Sequence, residues 1–243
     1  MFLLIALSRR LLVLAIVLAI PVIAVELLAR KLVGDAVASA VKARIGVAPS
    51  IGFGSKPLLL QMAHGRLDRV TVRASGARIG GLPPLGLTAT LNDVHLTHIT
   101  SLQGAIGSLS VQARLGPVDV RDLIATSACV RSLPAAVAAA LTTHPRVDIF
   151  PGRIDVLPPS GRAVEVRLRP AAVAAQVSFV LIAAQRDGVP IASAALAGAP
   201  VLAGCARSLP NLPFGISLRS ATAAQGALWL AFAGRGVTFS AIG

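Results

Sequence analysis

His95 and His98 stand three residues apart, a spacing at which two imidazoles on one helix face can hold a metal ion. The residues around them alternate like a strand, and there an odd spacing sends the two rings to opposite faces. They read as surface or turn histidines. Gly52-x-Gly54 opens like a dinucleotide-binding turn, but Pro57 stands where a third Gly belongs. The chain has no G-x-S-x-G, no H-E-x-x-H and no complete P-loop. Its carboxylates are few and scattered. Asp122 suits a helix cap, and Asp68 and Asp155 follow Arg66 and Arg153 in turns, so none of them requires a catalytic role. Cys129 and Cys205 lack CxxC spacing; outside a membrane they form one disulfide or stay as two buried thiols. The residue types point to binding without catalysis: no catalytic residue, no metal and no cofactor.

What is bound follows from charge and from apolar surplus. The chain of 243 residues carries a net charge of +13, and its only lysines are Lys31, Lys42 and Lys56. Such an excess favours anionic partners, among them phospholipid headgroups and acidic glycans. Nucleic acid is set aside as a partner. There is no Tyr, one Trp and seven scattered Phe, so no stacking platform forms, and the arginines are dispersed. At 55% hydrophobic residues the chain holds more Ala, Val, Leu and Ile than a sandwich with one wet face needs. Two readings stay open on composition alone: a large, well-filled core, or a sheet whose inner face shelters an apolar groove.

The elements that must position these residues divide sharply. Arg9 and Arg10 precede a charge-free apolar block, Leu11 to Val25, closed by Glu26. Residues 1–26 are read as a signal peptide with a V-x-A site at Val22–Ala24, or as an uncleaved membrane anchor. Either places the rest outside the plasma membrane, in the periplasm or cell envelope. Residues 27–243 are read as one domain. Leu28, Leu32, Val33, Ala36, Val37, Ala40, Val41 and Ile45 form a helical stripe that predicts a core-packing helix. Strand-like alternation follows at Arg66–Arg73, at Leu87–Leu96 with a bulge near Asn92-Asp93, and at Leu109–Arg114. A second helical region, Asp122 to Thr143, is capped by Asp122 and divided by Pro134. Further strands are predicted at Val147–Phe150, Arg153–Leu157, Ala163–Arg169, Val173–Ala184, Phe214–Ser220 and Ala227–Phe239. The uncharged stretch Val189–Ala206, broken by Pro190 and Pro200, reads as buried loop and strand.

The order of segments has a further meaning. After the N-terminal block and its helix come Gly54-x-x-Pro57-Leu58-Leu59, Gly65-x-Leu67-x-x-Val70-x-Val72 and Leu91-x-Asp93-Val94. The helical region Val120–Leu141 follows, and then Leu212-Pro213-Phe214-Gly215-Ile216-x-Leu218. This arrangement resembles the LmeA-type phospholipid-binding proteins of actinobacterial cell envelopes. The resemblance implies an α+β, tubular lipid-binding-like fold: a strongly curved antiparallel β-sheet, an elongated half-barrel, wrapped around a long helix. It also implies an apolar channel for acyl chains, and a role in maintaining mannose-containing envelope glycolipids or in lipid transfer. Leu58, Leu60, Val70, Val72, Leu91, Leu109, Val111, Phe179, Phe214, Ile216 and Trp229 are the groove or core candidates. Lys56, Arg66, Arg69 and Arg73 are the headgroup candidates, or a solvated strand face. The partners expected are phospholipid, a membrane surface and envelope glycolipid-synthesis proteins. Two rival classes remain: a scaffold for envelope glycosyltransferase machinery, and an envelope hydrolase.

Overall fold

Gly46, at φ +79°, ends the N-terminal helix where an L side chain would be strained. Its N–H donates to Lys42 O at 2.9 Å, closing the last turn of α1 (Phe2–Ile45). The computed structural model describes residues 2–78, 82–98, 103–125, 135–142, 144–157, 164–173, 176–186, 188–190, 212 and 215–240. Cys129, Cys205, Phe214 and most of Val189–Ala206 lie outside the described residues. The predicted apolar block and the predicted amphipathic helix are one helix, continuous through Pro21 and across Glu26. Described side chains in α1 begin at Ile23, and from there on no helix is long and apolar enough to cross a membrane.

The stripe on α1 is used only in its second half. Ile45 is buried, and Val33 and Val41 pack against the core. Leu28 and Leu32, predicted to pack there too, are 56% and 61% exposed. The reason is geometric: α1 meets the edge strand β1 (Ser50–Phe53) and the short α2 (Leu58–Ala63) through Glu26, Arg30 and Val33, and Leu28 and Leu32 stand on the far side of those same turns.

Eleven strands are described, in two antiparallel sheets. Sheet A runs β1-β2-β3-β4-β11-β10, with β2 (Arg66–Ala77), β3 (Leu85–His98), β4 (Gln103–Leu115), β10 (Ser217–Ala224) and β11 (Ala227–Ser240). Sheet B runs β5-β6-β7-β8-β9, from β5 (Arg146–Phe150), β6 (Arg153–Leu157), β7 (Val164–Val173), β8 (Gln176–Arg186) and β9 (Val189–Pro190). Edge strand β10 lies against β7, β5 and β8, so the inner faces of both sheets feed one apolar core. The coarse expectation, a mostly antiparallel fold with an N-terminal helix, holds. The finer one is corrected: the sheets are neither closed nor strongly curled, and no long helix is wrapped by them among the described residues. The helices that reach the core from the loops are the short α3 (Pro117–Ala125) and α4 (Ala135–Thr142), through Val120, Leu123, Ile124 and Leu141.

Inward side chains in a strand recur every second residue. In four neighbouring strands of sheet A this rule is broken along a single line. Inward positions are three apart at Leu67/Val70, Leu91/Val94, Ile106/Leu109 and Gly234/Val237. These residues are cross-strand neighbours, since Leu67 pairs with Val94, Val94 with Ile106, and Ile106 with Val237. Asp93 (φ +60°) and Gly236 (φ +59°) absorb the change of parity that the alternation around Asn92-Asp93 predicts, but without the predicted bulge, since the register of β3 with β2 and β4 runs on unshifted from Asn92 to Val94. Gly107 must stay small beside them, because a Cβ there would lie 2.9 Å from Asp93 Cβ.

Two local expectations are corrected. The helix that contains Asp122 does not start there but five residues earlier. Gly116 precedes the helix, Pro117 opens it, and Asp119 reaches back so that Gly116 N–H donates to its Oδ2 at 2.9 Å. Pro170 does not end its strand: it pairs with Phe179 inside β7. It is tolerated because β6 stops pairing at Leu168, so nothing on that side asks for the missing N–H.

Candidate functional site

Sheet A brings most of the apolar candidates together. Val72, Ala89, Val111, Phe232 and Leu218 form one cross-strand row over five strands. The next row is Val70, Leu91, Leu109 and Gly234. All face inward, with Leu58, Phe179 and Ile216 buried in the same cluster and Leu91 half-buried against it. Gly234 leaves room for Ile216, since a Cβ there would come within 3.1 Å of Ile216 Cγ2. Small residues recur on this face: Ala74, Ala77, Ala89, Ala113, Ala221 and Ala223 are all buried. The face is apolar and buried in the core that the two sheets share, and what packs on it is hydrocarbon, its own or a ligand's.

Two apolar candidates lie elsewhere. Trp229 pairs with Arg114 and Thr222, on the outward side of sheet A, and its Nε1 donates to Ala224 O at 3.2 Å. Leu60 is 56% exposed on α2. Sequence reasoning missed Ala89, Leu218 and Phe232 as neighbours of Val72. The alternation that would have found them is plain, but only the strand register places them in one row.

The four cations do not border this apolar face. Arg69 and Arg73 point outward with Thr71, in register with Asn92 and Thr88. Arg69 Nε donates to Asn92 Oδ1 at 3.3 Å. Arg66 Nη2 is 2.5 Å from Asp93 Oδ1, and His95 Nε2 is 3.3 Å from the same oxygen. Lys56 is ion-paired with Asp68. That ammonium holds the Asp68 carboxyl below its ordinary range. Exposed pairs of this kind contribute little to stability.

A second constellation joins α1 to the sheet. Glu26 Oε1 accepts the N–H of Leu58 at 2.5 Å, and Oε2 accepts that of Leu59 at 3.1 Å. Arg30 Nε donates to Glu26 Oε1 at 2.7 Å, while its Nη2 reaches Lys56 O at 2.9 Å and Gly54 O at 3.3 Å. The Leu58 N–H is the main cause that lowers the Glu26 pKa, with Arg30 acting in the same direction. On the other side of α2, Gln61 Nε2 donates to Lys56 O and its Oε1 accepts from Asp68 N–H. From sequence Glu26 is only the end of an apolar block, because its backbone partners, Leu58 and Leu59, lie more than thirty residues away.

A protein-family model described as LmeA-like phospholipid-binding matches residues 24–233 of the chain. No curated protein and no solved structure matches it.

Proposed function

Since this chain belongs to the LmeA-like phospholipid-binding family, we propose that it shelters phospholipid acyl chains against the inner face of sheet A. The observation that carries the reading is the pair of cross-strand rows through Val72 and Leu91, apolar on every strand and lined with small side chains. Burying acyl chain gains about 0.8 kcal/mol per CH2, so one ordinary tail is worth on the order of 10 kcal/mol gross. A partly exposed arginine–phosphate contact is worth about 1 kcal/mol. The inner face therefore sets affinity, and outward cations such as Arg69 and Arg73 act on the headgroup or on the surrounding anionic surface.

The protein acts as a non-catalytic binder, exported to the envelope and held near the outer side of the plasma membrane. Its cargo handling supports envelope glycolipid maintenance or lipid transfer. A scaffold role toward glycosyltransferase machinery has one observation in its favour: Arg69, Arg73, Arg114 and Arg235 all stand exposed on the outward side of sheet A, a surface suited to an anionic partner.

The test is native mass spectrometry of protein purified from a membrane-containing host, on the natural chain and on Ala89→Phe. Co-purified phospholipid in the natural chain, and less of it in a folded Ala89→Phe variant, is expected. In a core filled by its own side chains the same substitution overpacks and costs about 1–3 kcal/mol of stability instead. Lipid-free natural protein together with that destabilisation would refute the reading.

A further inference from the structure

Leu59 and Leu60 are adjacent leucines that the protein holds out of its core. They are 39% and 56% exposed, although α2 is firmly seated on both sides of them. Leu58 is fully buried, Gln61 is bonded to Lys56 O and Asp68 N–H, and the first two α2 N–H groups are bonded to Glu26. Rotation that would bury the leucines is blocked by these contacts. Ile23 lies one turn before Glu26 on the same face of α1, and is 57% exposed. Val25, Leu27 and Leu28 are each more than half exposed around the same turns. An apolar surface thus runs from α2 onto α1 at Ile23, and the sequence before it in the same helix is the charge-free run Leu11–Val25. Lys31 stands exposed beside these turns, with Arg30, held by Glu26 and reaching Gly54 O, and Lys56, paired with Asp68, next to it in the same clasp region. Apolar side chains next to a collar of cations match the two layers of an anionic bilayer surface, acyl chain and phosphate.

We propose that α2 and the adjoining turns of α1 form a membrane-docking tip, in which Leu59 and Leu60 enter the acyl boundary of an anionic phospholipid bilayer and the Glu26–Arg30 clasp fixes the tip to sheet A. The occupant is the bilayer itself, not the cargo lipid. The inference rests on the membrane-side location proposed above and is independent of what the inner face holds.

Single-tryptophan variants test it. Full-length protein carrying Trp229→Phe and Leu60→Trp is mixed with vesicles of phosphatidylcholine and phosphatidylglycerol whose acyl chains are brominated. At least a twofold loss of emission is expected at position 60, and none for Thr90→Trp in the same background, which reports the outward face of sheet A. Undiminished emission at position 60 in vesicle-bound protein, or failure of the chain to float with the vesicles, overturns docking. Adding Ala89→Phe separates this from failure of the lipid-binding reading. Quenching at position 60 that survives Ala89→Phe belongs to the bilayer, whereas quenching abolished by it assigns Leu60 to the cargo and overturns the tip.

Discussion

Glu26 carries more of this structure than any residue singled out for chemistry. One carboxylate accepts two backbone N–H groups from α2 and one guanidinium N–H from α1. Because folding lowers its pKa, its contribution is present above the ordinary glutamate value of 4.5 and is lost as pH falls through the depressed folded value. The protection factors of the Leu58 and Leu59 amides, taken against intrinsic exchange at each pH, should therefore fall in acid well before those of the sheet amides. Glu26→Gln should show the lower protection already at neutral pH, with no acid step. Equal protection in both proteins at all pH values would remove the clasp from the account. Among the sequence-predicted cations the lesson is similar. Lys56 and Arg66 were legible as positive charge, but their partners Asp68 and Asp93 come from strand pairing that the sequence does not print.

At the scale of elements, two devices make the chain's irregularities tolerable. The parity change in sheet A is shared by four neighbouring strands, so every strand keeps its apolar side inward on both sides of the line. Gly107→Val should break this, because its side chain meets Asp93; a loss of about 1–3 kcal/mol, read from the urea midpoint, is expected. The start of α3 is fixed by Pro117 and by Asp119 reaching back to Gly116. Asp119→Ala should cost about 1 kcal/mol, more than Asp122→Ala, whose side chain stands within α3 and not at its start. Equal costs would restore Asp122 to the role its sequence position suggests. The strand reading of β2, β3, β4 and β11 was accessible from alternation. The persistence of β7 through Pro170 was not, because it depends on where β6 stops.

At the scale of the molecule, both sheets drain into one core, so a lipid bound there acts on the stability of the whole. Removing lipid by detergent exchange should lower the melting temperature. A ligand at a hundredfold excess over its Kd stabilises by about 2.7 kcal/mol, which corresponds to about 5–10 °C for a chain of this size. An unchanged melting temperature would mean that the core is complete without lipid. The sequence by itself determined the apolar block and the helix that continues it, the alternating strands, the change of parity at Asp93, the absence of recognisable catalytic motifs, and the resemblance that the family match bears out. All of these are written in near-neighbour order, where periods of two and of three to four residues are directly visible. Only the tertiary structure decided that the sheets stay open, that Arg69 and Arg73 face away from the apolar rows, and that Leu28, Leu32 and Leu60 stay outside the core. Those outcomes depend on which strands end where and on bonds such as Glu26 to Leu58, contacts between residues whose proximity exists only after the chain has folded.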